Sequence, residues 1–144
     1  MNWLALTRAG FGAAVLLAPD EIAGHIGDRQ LGGGTRRVMR ILGARLLAEA
    51  AICAERPSRS VLALEGAVDV IHGVTMAAVA MLSSNDSRRR AAAANVGSAA
   101  AFTVADVVAV RRHRPAPHPP SSAFLQLRDS VADRLCGVLM PSVG

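Results

Sequence analysis

Along the chain, four long apolar runs alternate with short polar turns, and a fifth, more polar helical run closes the sequence. The run Val61–Leu82, VLALEGAVDVIHGVTMAAVAML, sets the pattern. It is long enough for a helix of six turns, and it is apolar on nearly every side. Its ionisable residues are Glu65, Asp69 and His72. Steps of four and three residues place these within about 60° of one helical face. A helix on a soluble protein shows a broad polar face to water. A narrow acidic stripe on an otherwise apolar helix reads instead as an interior face, with lipid around the rest.

The neighbouring runs repeat this arrangement. Trp3–Ala18 predicts a first helix, stopped by Pro19, with Arg8 inside it and Gly10 and Gly12 suited to close helix contact. Arg36–Glu55 predicts a second, in which Arg45 and Glu49 stand four residues apart on one face. The turn Arg56–Ser60 then leads into Val61–Leu82, so these two helices form an antiparallel hairpin. Arg88–Val110 predicts the fourth helix, capped by Asn85 or Asp86, with Asn95 and Asp106 on one face. Gly97, Ala101 and Ala105 give it a small-residue contact stripe. Between the first two helices, 20–35 reads as a loop with one or two helical turns at its start and a flexible Gly32–Gly34 run. No strand precedes those glycines and no Gly-Lys-Ser/Thr follows, so they are not a phosphate loop.

The fold class expected is therefore all-α: a four-helix transmembrane bundle with a C-terminal amphipathic helix. The bundle is assigned to 1–114, a stiff Pro-rich linker to 115–120, and the tail helix to 121–144. In the tail, Phe124, Leu127, Val131, Leu135 and Val138 form an apolar stripe suited to a membrane surface or a partner. The linker leads to the expectation that the tail folds independently of the spans.

Composition sharpens this picture. Hydrophobic residues are 51% and charged residues 19%, and mean hydropathy is +0.33. Aromatics are 3%, so small aliphatic side chains must build the contacts. The net charge of +5 raises nucleic acid as a partner. All 16 basic residues are Arg, however, and most flank the apolar runs, where lipid phosphates meet them. The partner read is the lipid bilayer, with a membrane protein or a second copy of the chain beside it, and no nucleic acid. The first and third loops carry Arg29, Arg36, Arg37 and Arg88–Arg90, against Arg56, Arg59, Arg111, Arg112 and Arg114 at the other end. That near balance leaves orientation open under the positive-inside rule. An untranslocated Arg-rich tail favours both termini on the cytoplasmic side of a multi-pass protein of the cell membrane. The first apolar run lacks a basic region before it, so a retained helix is expected rather than a cleaved signal.

The candidate site is a buried polar cluster of Arg8, Arg45, Glu49, Glu65, Asp69, His72 and Asp106. Turning the stripes together lets opposite charges share the cost of leaving water. Arg45 is the expected partner of Asp69, with Arg8 at the margin. Four carboxylates against two guanidinium groups imply bound protons, a cation or a basic ligand. Asp69-x-x-His72 occurs once, whereas metal-binding bundles use such a motif on two helices, so no metal is assigned. Cys53 and Cys136 lie in no Cys/His spacing, which leaves zinc without ligands. No cofactor and no catalytic residue is read, because no nucleophile has a paired base.

Arg8-x-Gly10-x-Gly12 before a Pro, Leu42-Gly43-Ala44-Arg45, Asp69-x-x-His72 and an Ala-rich last span together resemble small four-helix integral membrane proteins of unknown function from high-GC bacteria. The resemblance covers about Trp3–Arg112 and implies a fold, without an activity. The functions expected are a structural or accessory membrane subunit, a small transport or proton-relay protein using Asp69 and His72, or a soluble ligand-binding helical bundle.

Overall fold

Side-chain caps set where several helices begin. Ser58, Asn85 and Ser122 each accept a hydrogen bond from the backbone N–H three residues on, at 3.3, 2.9 and 3.2 Å. The computed structural model describes residues 3–25, 31–114 and 122–140, and 87% of these are helical with no strand among them. The helices are α1 (Trp3–Leu17), α2 (Pro19–His25), α3 (Gly33–Ile52), α4 (Arg59–Leu82), α5 (Asp86–Arg112) and α6 (Ala123–Leu139). Arg29 and the linker 115–120 lie outside the described residues.

Boundaries moved where packing outweighs local preference. Pro19 opens α2 as its first residue, a position at which its missing N–H costs nothing. Helix α3 begins at Gly33, inside the run read as flexible loop. Each glycine costs about 1 kcal/mol of helix propensity. The buried Leu31 just before it, packed with Val15, Ala23 and Met39, anchors the chain there.

Two close helix pairs make up the frame, α1 with α3 and α4 with α5. In the first pair the backbones touch. A Cβ on Gly12 would stand 2.9 Å from the Gly43 carbonyl oxygen, and one on Gly43 would stand 2.6 Å from the Gly12 carbonyl oxygen. Gly10 faces open space. In the second pair, Gly66 meets Asp106 and Gly73 meets Ala99. Ala92, Ala99 and Asp106, spaced by seven, form the buried seam of α5. The stripe expected from Gly97, Ala101 and Ala105 turns away from this seam: Gly97 and Ala101 are exposed, since residues two apart point about 200° apart on a helix.

Only α4 and α5 among the described helices are long and apolar enough to cross a membrane. The other two expected spans fall short. Helix α1 has 15 residues, about 22 Å, against a hydrocarbon core of roughly 30 Å. Helix α3 carries Arg36, Arg37, Arg40, Arg45 and Glu49.

Helix α6 packs on α4. Its Ala132 joins Ala5, Cys53 and Val61 in a buried cluster, and the Cys136 thiol donates to the Ser60 carbonyl at 3.4 Å. The apolar stripe of α6 is left facing outward: Phe124, Leu127, Val131, Leu135 and Val138 are all exposed. Arg128 explains the docking. Its guanidinium donates to the carbonyls of Ile52, Glu55 and Arg56 at 2.9, 2.9 and 3.2 Å. These are the orphan acceptors at the end of α3 and its turn, where a cation is favoured. Arg56 holds a left-handed φ of 31° in that turn, a conformation uncommon for a residue with a Cβ.

Candidate functional site

Helix α1 delivers Arg8 into the space between the two helix pairs. The side chain is 0% exposed. Its Nη1 donates to Glu65 Oε2 at 3.0 Å and to Asp106 Oδ1 at 3.1 Å. Its Nη2 donates to Asp69 Oδ2 at 2.6 Å and to Asp106 Oδ2 at 2.7 Å. Asp106 is thus held by both arms of the guanidinium, the geometry in which arginine binds carboxylates most strongly. One cation on α1 thereby ties together α4 and α5.

Arg45 forms the second layer. Its Nε donates to Glu49 Oε1 at 2.7 Å, one turn along α3, and its Nη2 reaches Asp69 Oδ1 at 3.0 Å on α4. Asp69 therefore accepts from both arginines, one on each oxygen. Glu49 Oε2 lies 4.0 Å from Arg8 Nε, and neither atom has a hydrogen-bond partner. Arg8 is the hub of the cluster rather than its margin. Arg45, half-buried, is the outer member.

Six of the seven expected residues meet in these ion pairs. The seventh, His72, is half-buried one turn beyond Asp69 and lies beside Asn95, outside the ion pairs. Two further residues belong to the site. The Arg8 guanidinium carbon sits 4.9 Å from the centroid of the Phe102 ring, a cation–π contact on the side not taken by carboxylates. Phe11 and Phe102 are themselves 6.1 Å apart between ring centroids, tilted by 53°, and bridge α1 to α5. The Cys53 thiol, 1% exposed, is in hydrogen-bonding contact with Glu65. Phe102 stands four residues before Asp106, so the one-face rule that grouped the charges also places it. Cys53 stands four residues after Glu49, so the same rule sets it on the Arg45–Glu49 face.

Chemically, the arrangement is an ionic knot with excess acid. Full ionisation of Glu49, Glu65, Asp69 and Asp106 against Arg8 and Arg45 leaves two uncompensated negative charges, four less two. No group of three or more His, Cys, Asp and Glu among the described residues is arranged to hold a metal ion. Two surface clefts lie nearby, one lined by Ala5, Leu6 and Ala9 of α1, Leu47, Ala50 and Ala51 of α3 and Ala54 just after it, the other between α1, α2, α3 and α5. Neither is lined by an ionisable member of the cluster. Against known proteins, the chain matches no family model, no curated protein and no solved structure.

Proposed function

We propose that this chain is a small integral membrane protein acting as a structural or accessory subunit, with the ionic knot locking its helices in register. In this reading α1, α3, α4 and α5 form a four-helix transmembrane bundle and α6 lies along one end. One observation carries it: Arg8 is wholly buried against acids while the outward faces are apolar. The apolar stretch of α5 is only 11% buried, whereas the core helix of a soluble protein is mostly buried. Val104, Val107 and Val108 on α5, Val70, Ile71 and Val74 on α4, and Leu6 and Leu17 on α1 are all exposed. An exposed apolar surface of that extent marks a membrane or a partner. The short α1 is accommodated by local thinning of the bilayer, and the Arg residues opening α3 by snorkelling to headgroups.

The interior supports a locking role over a transport role. Each charge on Arg8 and Arg45 is matched by carboxylates at hydrogen-bond distance, and the nearby clefts do not reach them. Buried ionic groups of this kind specify which faces meet. The acid excess favours a second reading, a proton relay through Asp69 and His72. Placement in the cell membrane with both termini cytoplasmic, and a membrane protein or a second copy as partner, extend the proposal.

Fractionation tests it. The protein is expected in the membrane pellet after high-salt and alkaline washes, and in solution only with detergent. Release by alkali alone would overturn membrane integration. Proton flux into proteoliposomes that disappears in Asp69→Asn and His72→Gln variants would replace the locking role with the relay.

A further inference from the structure

The two helix pairs do not close against each other along their whole length. Between α1, α2 and α3 on one side and α5 on the other lies a cleft of about 280 Å³. Phe11 and Val15 of α1, Ile22 of α2, and Met39 and Leu42 of α3 form one wall. Ala91, Ala94, Asn95 and Ser98 form the other. The reason for the cleft is side-chain size: this face of α5 carries nothing larger than Asn opposite large apolar residues. Its volume is at the low end for ligand pockets, enough for part of a chain but too small for a bulky headgroup.

The lining residues lie in the first halves of both α3 and α5, which puts the cleft near the end of the molecule where those two helices begin. That end is strongly basic. It carries Arg36, Arg37 and Arg40 on α3 and Arg88, Arg89 and Arg90 on α5. Arg36 is one turn before Met39, and Arg88 is one turn before Ala91, so both stand at the mouth. Asp20 engages Nε and Nη2 of Arg36, and Asp86 pairs with Arg89. Arg37, Arg40, Arg88 and Arg90 have no ion-pair partner among the described residues and are exposed.

Resting on the membrane reading above, we propose that this cleft is a binding site for an anionic phospholipid, one acyl chain lying along Phe11, Val15, Met39 and Ala94 and the phosphate held by Arg88, which has no ion-pair partner among the described residues. An apolar slot beneath a cluster of underpaired arginines matches both parts of such a lipid and neither part of a neutral metabolite. Basic pockets between helices at headgroup depth recognise anionic lipids in this way. Asn95 and Ser98, deeper on the α5 wall, turn their donors back onto the Ala91 and Asn95 carbonyls at 2.8 and 3.0 Å.

The test uses the full chain purified in an uncharged detergent, with retained lipid measured by native mass spectrometry. Dioleoyl phosphatidylglycerol and dioleoyl phosphatidylcholine, which share their chains, are offered in equal amounts. The phosphatidylglycerol adduct is expected in excess, by about fivefold for each arginine engaged. Arg88→Gln should lose that preference, and Arg111→Gln, at the opposite end, should keep it. Ala94→Leu, which fills the cleft, should lose the adduct while circular dichroism shows unchanged helix content. Equal retention of the two lipids by a protein that still needs detergent overturns the site and leaves membrane integration standing. Displacement of the lipid by sodium phosphate alone at similar concentration would make it a plain anion site and overturn the chain-binding half. A protein soluble without detergent overturns both readings.

Discussion

Arg8 and Asp106 are joined by two parallel hydrogen bonds, 3.1 and 2.7 Å long, with both side chains at most 1% exposed. The pair links α1 to α5 across the gap between the two helix pairs. Few other backbone approaches cross that gap, so side chains bridge it.

Removing the hub is therefore expected to be severe. Arg8→Gln leaves Glu65 and Asp106 without a cation and Asp69 with Arg45 alone. Breaking a buried charge pair costs about 3–5 kcal/mol. Arg8→Lys should recover little, because a point charge cannot reproduce the paired donation to Asp106. Thermal unfolding in detergent reads both, and a wild-type melting temperature for Arg8→Gln would remove the locking role.

Asp69 is shared by Arg8 and Arg45, which makes it the place to measure coupling. Asp69→Asn should destabilise the protein. The double variant Asp69→Asn with Arg45→Gln should lose less than the sum of the single changes, by about 0.5–3 kcal/mol. Additive losses would show that the 3.0 Å contact between Arg45 and Asp69 contributes nothing.

The contact between α1 and α3 depends on glycine at two positions. Gly43→Val places carbon where backbone atoms stand 2.6 Å away, and no rotamer relieves that. Overpacking of this kind costs about 1–3 kcal/mol and here should exceed it, because backbone must move. Gly10→Leu, facing open space, is the control and should leave melting unchanged or slightly raised. Equal effects at the two positions would contradict the observed contact.

Helix α6 should protect Cys53. Arg128→Ala removes three hydrogen bonds to the end of α3, and bonds to a charged group are worth about 1.5–3 kcal/mol each at most. Truncation before residue 115 removes Ala132 from its cluster as well. Both changes should speed maleimide labelling of Cys53, measured against a Cys136→Ser background. Unchanged labelling would return the tail to the independent segment that its Pro-rich linker suggests.

Excess acid in the knot predicts bound protons. With four carboxyls and two guanidinium groups, at least one carboxyl is expected to be protonated at neutral pH. Infrared spectra at neutral pH should show a protonated carboxyl stretch that weakens in at least one of the variants Glu49→Gln, Glu65→Gln, Asp69→Asn and Asp106→Asn. A spectrum with ionised carboxylates only would point to a bound cation.

Much of this protein follows from periodicity alone. Steps of three and four put Glu65 with Asp69 and Arg45 with Glu49 on single faces, and the apolar remainder of each run left those stripes nowhere to go but inward. Helix existence and most of the cluster's membership are local or one-face properties, so a linear reading reaches them, although His72, on the same face as Asp69, stays outside the ion pairs. Which cation sits at the centre is not local. Arg8 became the hub because the close approach at Gly12 and Gly43 sets how far α1 reaches toward α5, and no spacing within α1 encodes that distance. The seam of α5 is likewise decided by its neighbour: Gly66 and Gly73 select Ala99 and Asp106 over the equally small Gly97 and Ala101. Helix α6 shows the same division. Its sequence dictates an amphipathic helix, but the orphan carbonyls at the end of α3 draw Arg128 inward, and that contact turns the apolar stripe out.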